Sequence, residues 1–216
     1  LWASAPHIIW PLRFVLPHDA HQRPAWMIRT GLFFYDHLAR RKLLPGSEGV
    51  DLRRHPAGAP LDERYTKGFV YSDAWVDDAR MVVITAMDAR EHGATVLTRT
   101  RCAKLERSAD HWLATLVHTD GEETRVKAVA AVNATGPWVD RFLDEATAVP
   151  ARRHPRMVKG SHIVIPKLFD HEFAYIFQSP DGRIVFAIPY ERELTPIGTT
   201  EKDHAGDPPT PPREEQ

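Results

Sequence analysis

Two stretches of this chain combine residue types that can do chemistry. The first is Val132-Asn133-Ala134-Thr135-Gly136-Pro137-Trp138: an apolar run, a glycine turn, and a proline suited to the first turn of a helix. Strand, tight turn and helix N-terminus together make a site geometry. At Gly136 a ligand can approach the backbone where a larger residue would block it. The second is Gly160-Ser161-His162, which opens a strand-like segment running to Pro166. Its imidazole suits proton transfer near neutral pH. Read by residue type alone, a glycine turn and a single strand histidine are first of all structural features.

Other reactive groups lack partners in the sequence. Cys102 has no nearby histidine and reads as a small buried hydrophobe rather than a nucleophile. His18, His21, His37, His154 and His171 lack cysteine or carboxylate neighbours at metal-ligand spacing, so no metal is expected. No G-x-G-x-x-G is present to hold a dinucleotide pyrophosphate at a helix N-terminus.

The elements that must position these residues follow from periodicity and turn chemistry. Residues 1–16 mix aromatic and branched residues with prolines and read as packed, irregular structure. Ala25 to Arg41 reads as a helix with mostly helical apolar spacing, expected to be buried against the rest of its domain. Leu43 to Lys67, rich in Pro, Gly and charge, reads as a long loop. Gly68 to Asp78 runs into a helix with an aspartate N-cap, a buried side of Met81, Val82, Ile84, Thr85 and Met87, and Gly93 as C-cap. Ala94 to Leu97 reads as a short strand. Trp112–Val117 and Thr124–Val129 form a hairpin around Asp120-Gly121, and Ala130 to Ala134 continues as a buried strand. Further strands are expected over 161–166, 174–178, 183–189 and 196–200, with a turn at 179–182, making the C-terminal third mostly antiparallel sheet.

Composition bounds the class. With 43% hydrophobic residues in 216 positions the chain can bury a sizeable core. Lys and Arg number 28 against 29 Asp and Glu, and a net charge of −1 gives no general attraction to nucleic acid. A single cysteine suits a reducing compartment, so a cytoplasmic location is expected. No run approaches the about 20 apolar residues of a membrane-spanning helix. The chain begins at Leu1 and ends in a proline-rich, charged stretch, and reads as an interior piece of a larger enzyme.

Leu97-Thr98-Arg99-Thr100-Arg101, Val132 to Trp138, Lys159-Gly160-Ser161-His162-Ile163-Val164-Ile165-Pro166 and Ile197-Gly198-Thr199-Thr200 together resemble the flavin-dependent, respiratory glycerol-3-phosphate dehydrogenase family, which uses FAD. Pro17-His18, Arg23 to Arg29 and Tyr71 to Arg80 are similar to it as well, so the resemblance covers nearly the whole chain. It implies an α/β fold (α+β overall): an incomplete FAD-binding Rossmann-like layer with an antiparallel β-rich substrate, or cap, domain. Residues 1–67 would form a cap and helical segment, 68–150 part of the FAD-binding domain, and 151–216 the β-rich substrate segment.

The activity implied is oxidation of sn-glycerol 3-phosphate to dihydroxyacetone phosphate, with hydride passing to FAD and electrons to a quinone. Carried over residue by residue, His162 is the catalytic base and contacts substrate, Thr199 lines the same pocket, and Ala134, Thr135 and Gly136 meet the flavin. Arg101 and Cys102 run past the adenine end of FAD. The resemblance places the glycine-rich FAD loop before Leu1, and a phosphate-gripping arginine and a lysine after Gln216, so the chain alone is expected neither to hold FAD tightly nor to turn over. Peripheral contact with the inner face of the cytoplasmic membrane is expected of the parent enzyme. Two other readings stand beside this one. An amine or amino-acid oxidase relative would share the 134–138 turn, and a non-enzymatic binding module would use the 25–41 helix to dock on lipid or a partner.

Overall fold

The structure, a computed structural model, describes residues 5–38, 44–152, 154–179, 181–200 and 202–203. In chain order the elements are β1 (Ile9–His18), α1 (Ala25–His37), β2 (Glu48–Asp51), β3 (Lys67–Val76), α2 (Asp78–Glu91), β4 (Arg101–Arg107), β5 (Trp112–Val117), β6 (Glu123–Ala128), α3 (Val139–Ala146), β7 (Val158–Lys159), β8 (Ile163–Pro166), β9 (Ala174–Gln178), β10 (Ile184–Ala187), β11 (Leu194–Gly198) and β12 (Lys202–Asp203). Short 3-10 turns lie at Pro56–Gly58 and Gly136–Trp138. The fold class is α/β, with one large mixed sheet and a separate antiparallel sheet.

Two compact units share the chain: one drawn from 1–85 and 160–201, the other from 86–159 and 202–216. This division differs from three consecutive segments at 1–67, 68–150 and 151–216. The reason is strand pairing, since β1 lies parallel to β9 through Phe14↔Ala174 and Val15↔Tyr175 and so joins the N-terminal and C-terminal strands in one sheet.

The first unit holds the seven-stranded sheet, in the order β2-β3-β1-β9-β10-β11-β8. Residues 1–16, expected to be irregular, instead supply most of a ten-residue strand, β1, which pairs with β3 from Ile9↔Val76 to His18↔Lys67. Pro11 and Pro17 are tolerated because they fall outside the short ladder with β9, where a missing N–H costs no bond on that side. Phe14, Val15, Leu16 and Pro17 are buried in succession, as in a strand covered on both faces. Residues 43–67 also depart from a structureless loop: β2 pairs with β3, and Leu52 and Ala57 enter the core beside Val15, Val70, Phe169, Tyr175 and Ala187. Tyr175 is 1% exposed, and its hydroxyl donates to the carbonyl of Ala57 and accepts from His171 Nε2 at 2.8 Å.

Helix α1 begins at Ala25 as expected; its expected continuation to Arg41 lies outside the described residues. Expected to be buried, it has no buried residue, and Trp26, Phe33 and Phe34 stand 68%, 52% and 64% exposed. Polar ties hold it instead. Asp36 Oδ2 accepts from Ser47 N at 2.8 Å and Ser47 Oγ at 2.7 Å, Arg29 donates to Ser47 Oγ at 2.7 Å, and the Tyr35 hydroxyl donates to the Ser72 carbonyl.

Helix α2 carries the chain from one unit to the other. Both ends match its local chemistry: Asp77 Oδ1 accepts from Arg80 N at 3.1 Å, and Gly93 closes the helix at φ +93°. Its expected buried side is absent, for no α2 residue is buried. Ala94 to Leu97 forms no strand, four residues being too few to hold one without a ladder partner. In the second unit β4, β5 and β6 make an antiparallel meander with a bulge between Cys102 and Lys104. The β5–β6 hairpin turns at Gly121 (φ +87°) as its Asp-Gly pair requires. Helix α3 packs on β4, and β7 pairs with β12.

Candidate functional site

The first candidate cluster sits in the seven-stranded sheet where β8, its edge strand, meets β11. The last register pair is Ile163↔Ile197, and beyond it the two chains stay joined. Thr200 N donates to the Ser161 carbonyl at 3.2 Å, and Ser161 N donates to Thr200 Oγ1 at 3.0 Å. This clamp brings His162 and Thr199, far apart in sequence, to one place. The imidazole of His162 is exposed and lies against Gly198. The half-buried Thr199 lies against Gly160, and its hydroxyl donates to the Thr200 carbonyl at 3.0 Å. An exposed imidazole and a hydroxyl at the same end of the β8–β11 pair are groups that can take a proton from a bound alcohol and hydrogen-bond its oxygen atoms. In the sequence Thr200 stands in the Ile197-Gly198-Thr199-Thr200 motif without a role of its own; its bond to Ser161 depends on a partner strand 39 residues away.

The second cluster lies in the other unit. Ala130 to Ala134, expected to be a buried strand, is neither: Val132 is 89% exposed, and among the described residues no strand pairs with it. An apolar run becomes a strand only when a neighbour supplies the ladder. The turn that follows does form as its sequence requires. Asn133 braces it, its Oδ1 accepting from Thr135 Oγ1 at 2.7 Å and Thr135 N at 3.3 Å while its Nδ2 donates to the Val139 carbonyl at 3.0 Å. Gly136 adopts φ +57°, a left-handed conformation that favours glycine, with nothing within 4 Å of where a Cβ would stand. The 3-10 turn at Pro137 then leads into α3.

Arg101 is exposed at the start of β4, the strand on which α3 packs, and Cys102 follows it half-buried at the bulge. Burial pushes the Cys102 thiol upward, which keeps it protonated and disfavours a nucleophilic role. The open backbone at 134–136, with room around Gly136 and a helix start behind it, fits the approach of a flat ring system such as a flavin. Among the described residues, no group of three or more His, Cys, Asp and Glu side chains is arranged to hold a metal, and no helix is long and apolar enough to cross a membrane.

The described residues form a mixed α/β fold, with an exposed imidazole at the edge of the seven-stranded sheet and an exposed glycine turn in the second unit. The chain belongs to the FAD dependent oxidoreductase family, whose pattern matches residues 1–216. It is 52% identical over 208 residues to a glycerol-3-phosphate dehydrogenase of Pseudomonas aeruginosa, covering 96% of this chain and 40% of that protein. It is 48% identical over 204 residues to a D-erythritol 1-phosphate dehydrogenase of Brucella abortus, covering 94% of this chain and 41% of that protein. The chain thus spans about 40% of the length of these curated relatives. Its fold is similar to the structure of a glycerol-3-phosphate dehydrogenase from Bacillus halodurans complexed with FAD, with a TM-score of 0.64 and 24% identity over 95% of this chain and 37% of that one.

Proposed function

We propose that this chain is the part of an FAD-dependent dehydrogenase that oxidises sn-glycerol 3-phosphate to dihydroxyacetone phosphate. The observation that supports it best is that His162 and Thr199, the two residues for which the family resemblance implies substrate contact, lie at the same end of the β8–β11 pair. His162 takes the proton of the secondary hydroxyl as the base, and Thr199 hydrogen-bonds the substrate beside it. FAD, when bound, would supply the hydride acceptor, and a quinone would be the electron acceptor of the parent enzyme. Ala134, Thr135 and Gly136 would hold the flavin through exposed backbone, and Arg101 and Cys102 would pass its adenine end. The unit of 1–85 and 160–201 takes the substrate role and the unit of 86–159 and 202–216 the cofactor role.

The test is His162→Asn in the full-length native protein. Loss of a general base should lower kcat on glycerol 3-phosphate by about 10²- to 10⁴-fold with flavin content unchanged; full activity would remove His162 from the chemistry. The 216-residue chain alone should purify without stoichiometric flavin.

The Brucella relative favours a second reading, in which the substrate is a longer polyol phosphate. Comparing kcat/KM on glycerol 3-phosphate and D-erythritol 1-phosphate separates the two, and turnover of glycine would instead support the amino-acid oxidase alternative. A peripheral position on the inner face of the cytoplasmic membrane draws support from the exposed Trp26, Phe33 and Phe34 of α1. Co-sedimentation of the protein with anionic liposomes tests it.

A further inference from the structure

We propose that Gly198 and Gly160 are reciprocal positioning residues: each leaves empty the space that the functional side chain of the opposite strand occupies. The inference rests on the reading of His162 as the base. Directly opposed residues of an antiparallel pair normally set their Cβ atoms about 4.5–5.5 Å apart, side by side. Extending the β8–β11 register by one residue from Ile163↔Ile197 sets His162 opposite Gly198. A Cβ at Gly198 would collide with imidazole Cδ2 and stand 2.7 Å from Cγ and 2.9 Å from Nε2, so the ring fills the volume of the missing side chain.

Gly160 does the same for the other residue. A Cβ there would collide with Thr199 Oγ1 and stand 3.2 Å from the Thr200 carbonyl oxygen. Neither glycine is required by its backbone. The glycines at positive φ are Gly93, Gly121, Gly136 and Gly182, so at 160 and 198 the demand comes from the atoms packed against them, chiefly the Thr199 and His162 side chains. By contrast, Gly31 and Gly49 have nothing within 4 Å of where a Cβ would stand. The consequence is directional. Resting on Gly198, the imidazole is fixed at the sheet edge by contact with a buried backbone. Clamped through Ser161 and Thr200, Gly160 holds the Thr199 hydroxyl next to it.

The test is Gly198→Ala in the full-length holoenzyme, alone and combined with His162→Ala. Displacing a catalytic group by about 1 Å costs on the order of 10²-fold, so kcat should fall about 10- to 100-fold with flavin content unchanged. The imidazole carbon and proton resonances of His162 should shift, and the melting temperature should fall. In the His162→Ala background, where the collision is gone, Gly198→Ala should lower neither residual kcat nor melting temperature further. An unchanged imidazole resonance in Gly198→Ala, or an equal loss with and without His162, would overturn the proposal. Full activity in His162→Ala would instead overturn the base assignment, and the catalytic purpose of this packing with it.

Discussion

Replacing Tyr175 with Phe isolates a single buried oxygen at the centre of the seven-stranded sheet. The ring stays in place among Phe169 and Phe177, so apolar packing is nearly conserved. The hydroxyl is lost, and with it the bonds to the Ala57 carbonyl and to His171 Nε2. Ala57 is fully buried, so its carbonyl finds no water and bears the unmade-bond cost of about 1–3 kcal/mol. His171 is half-buried and recovers part of its loss from solvent. A net destabilisation of about 2 kcal/mol follows, and at roughly 2–4 °C per kcal/mol for a chain of this size the melting temperature should fall by about 4–8 °C. Thermal unfolding followed by circular dichroism measures it. The double variant Tyr175→Phe with His171→Leu should lose less than the sum of the single losses, because the two share one bond. A melting temperature within about 1 °C of the parent, or strict additivity, would refute the reasoning.

Burial holds His171 below its ordinary value of 6.5, and His55 is lowered by the same cause. As pH falls through 6.5 the unfolded chain takes up these protons before the folded one, so stability is full above 6.5 and declines towards the folded values; melting curves in that window should show this slope, reduced in His171→Leu. Asp36→Ala removes the acceptor for Ser47 N and Oγ and should cost about 1–3 kcal/mol, seen as faster amide exchange across Ala25–His37. Gly136→Ala forces a side chain into φ +57° at a cost of about 1–2 kcal/mol, lowering the melting temperature; if the turn meets the flavin as proposed, flavin titration of the full-length protein should also weaken.

What could be read from the sequence was what local chemistry decides. The β5–β6 hairpin depends on Asp120-Gly121, and the ends of α2 depend on Asp77 and Gly93; both are settled within a few residues. What could not be read depends on partners distant in the chain. β1 is a strand because β3, some fifty residues later, offers it a ladder, and nothing in its proline-rich sequence announces that. The reverse error occurred at Ala130 to Ala134, where an apolar run promised a strand and no described partner pairs with it. The apolar residues of α2 misled in the same way, since periodicity marks a face without saying what covers it. In the candidate site, His162 and Thr199 were legible only through motif resemblance. Their meeting is a matter of β8–β11 register, and the role of Gly198 is invisible without it.

The sheet order separates what holds this unit together from what would do its chemistry. Tyr175 lies on β9 and the His162 segment leads into β8, with β10 and β11 between them. Strand spacings of about 4.8 Å put Tyr175 roughly 14 Å from the His162 segment and about 10 Å from Gly198 on β11, at the upper end of the range of about 7–10 Å over which substitutions usually couple. The edge position also leaves one side of the β8 backbone without a strand partner among the described residues, and so open to a ligand. Combining Tyr175→Phe with Gly198→Ala should therefore give melting-temperature losses that add. It should leave the His162 resonance where Gly198→Ala alone puts it. Coupling between the two would mean that the edge strand takes its geometry from the aromatic core, and that the separation drawn from sheet order is wrong.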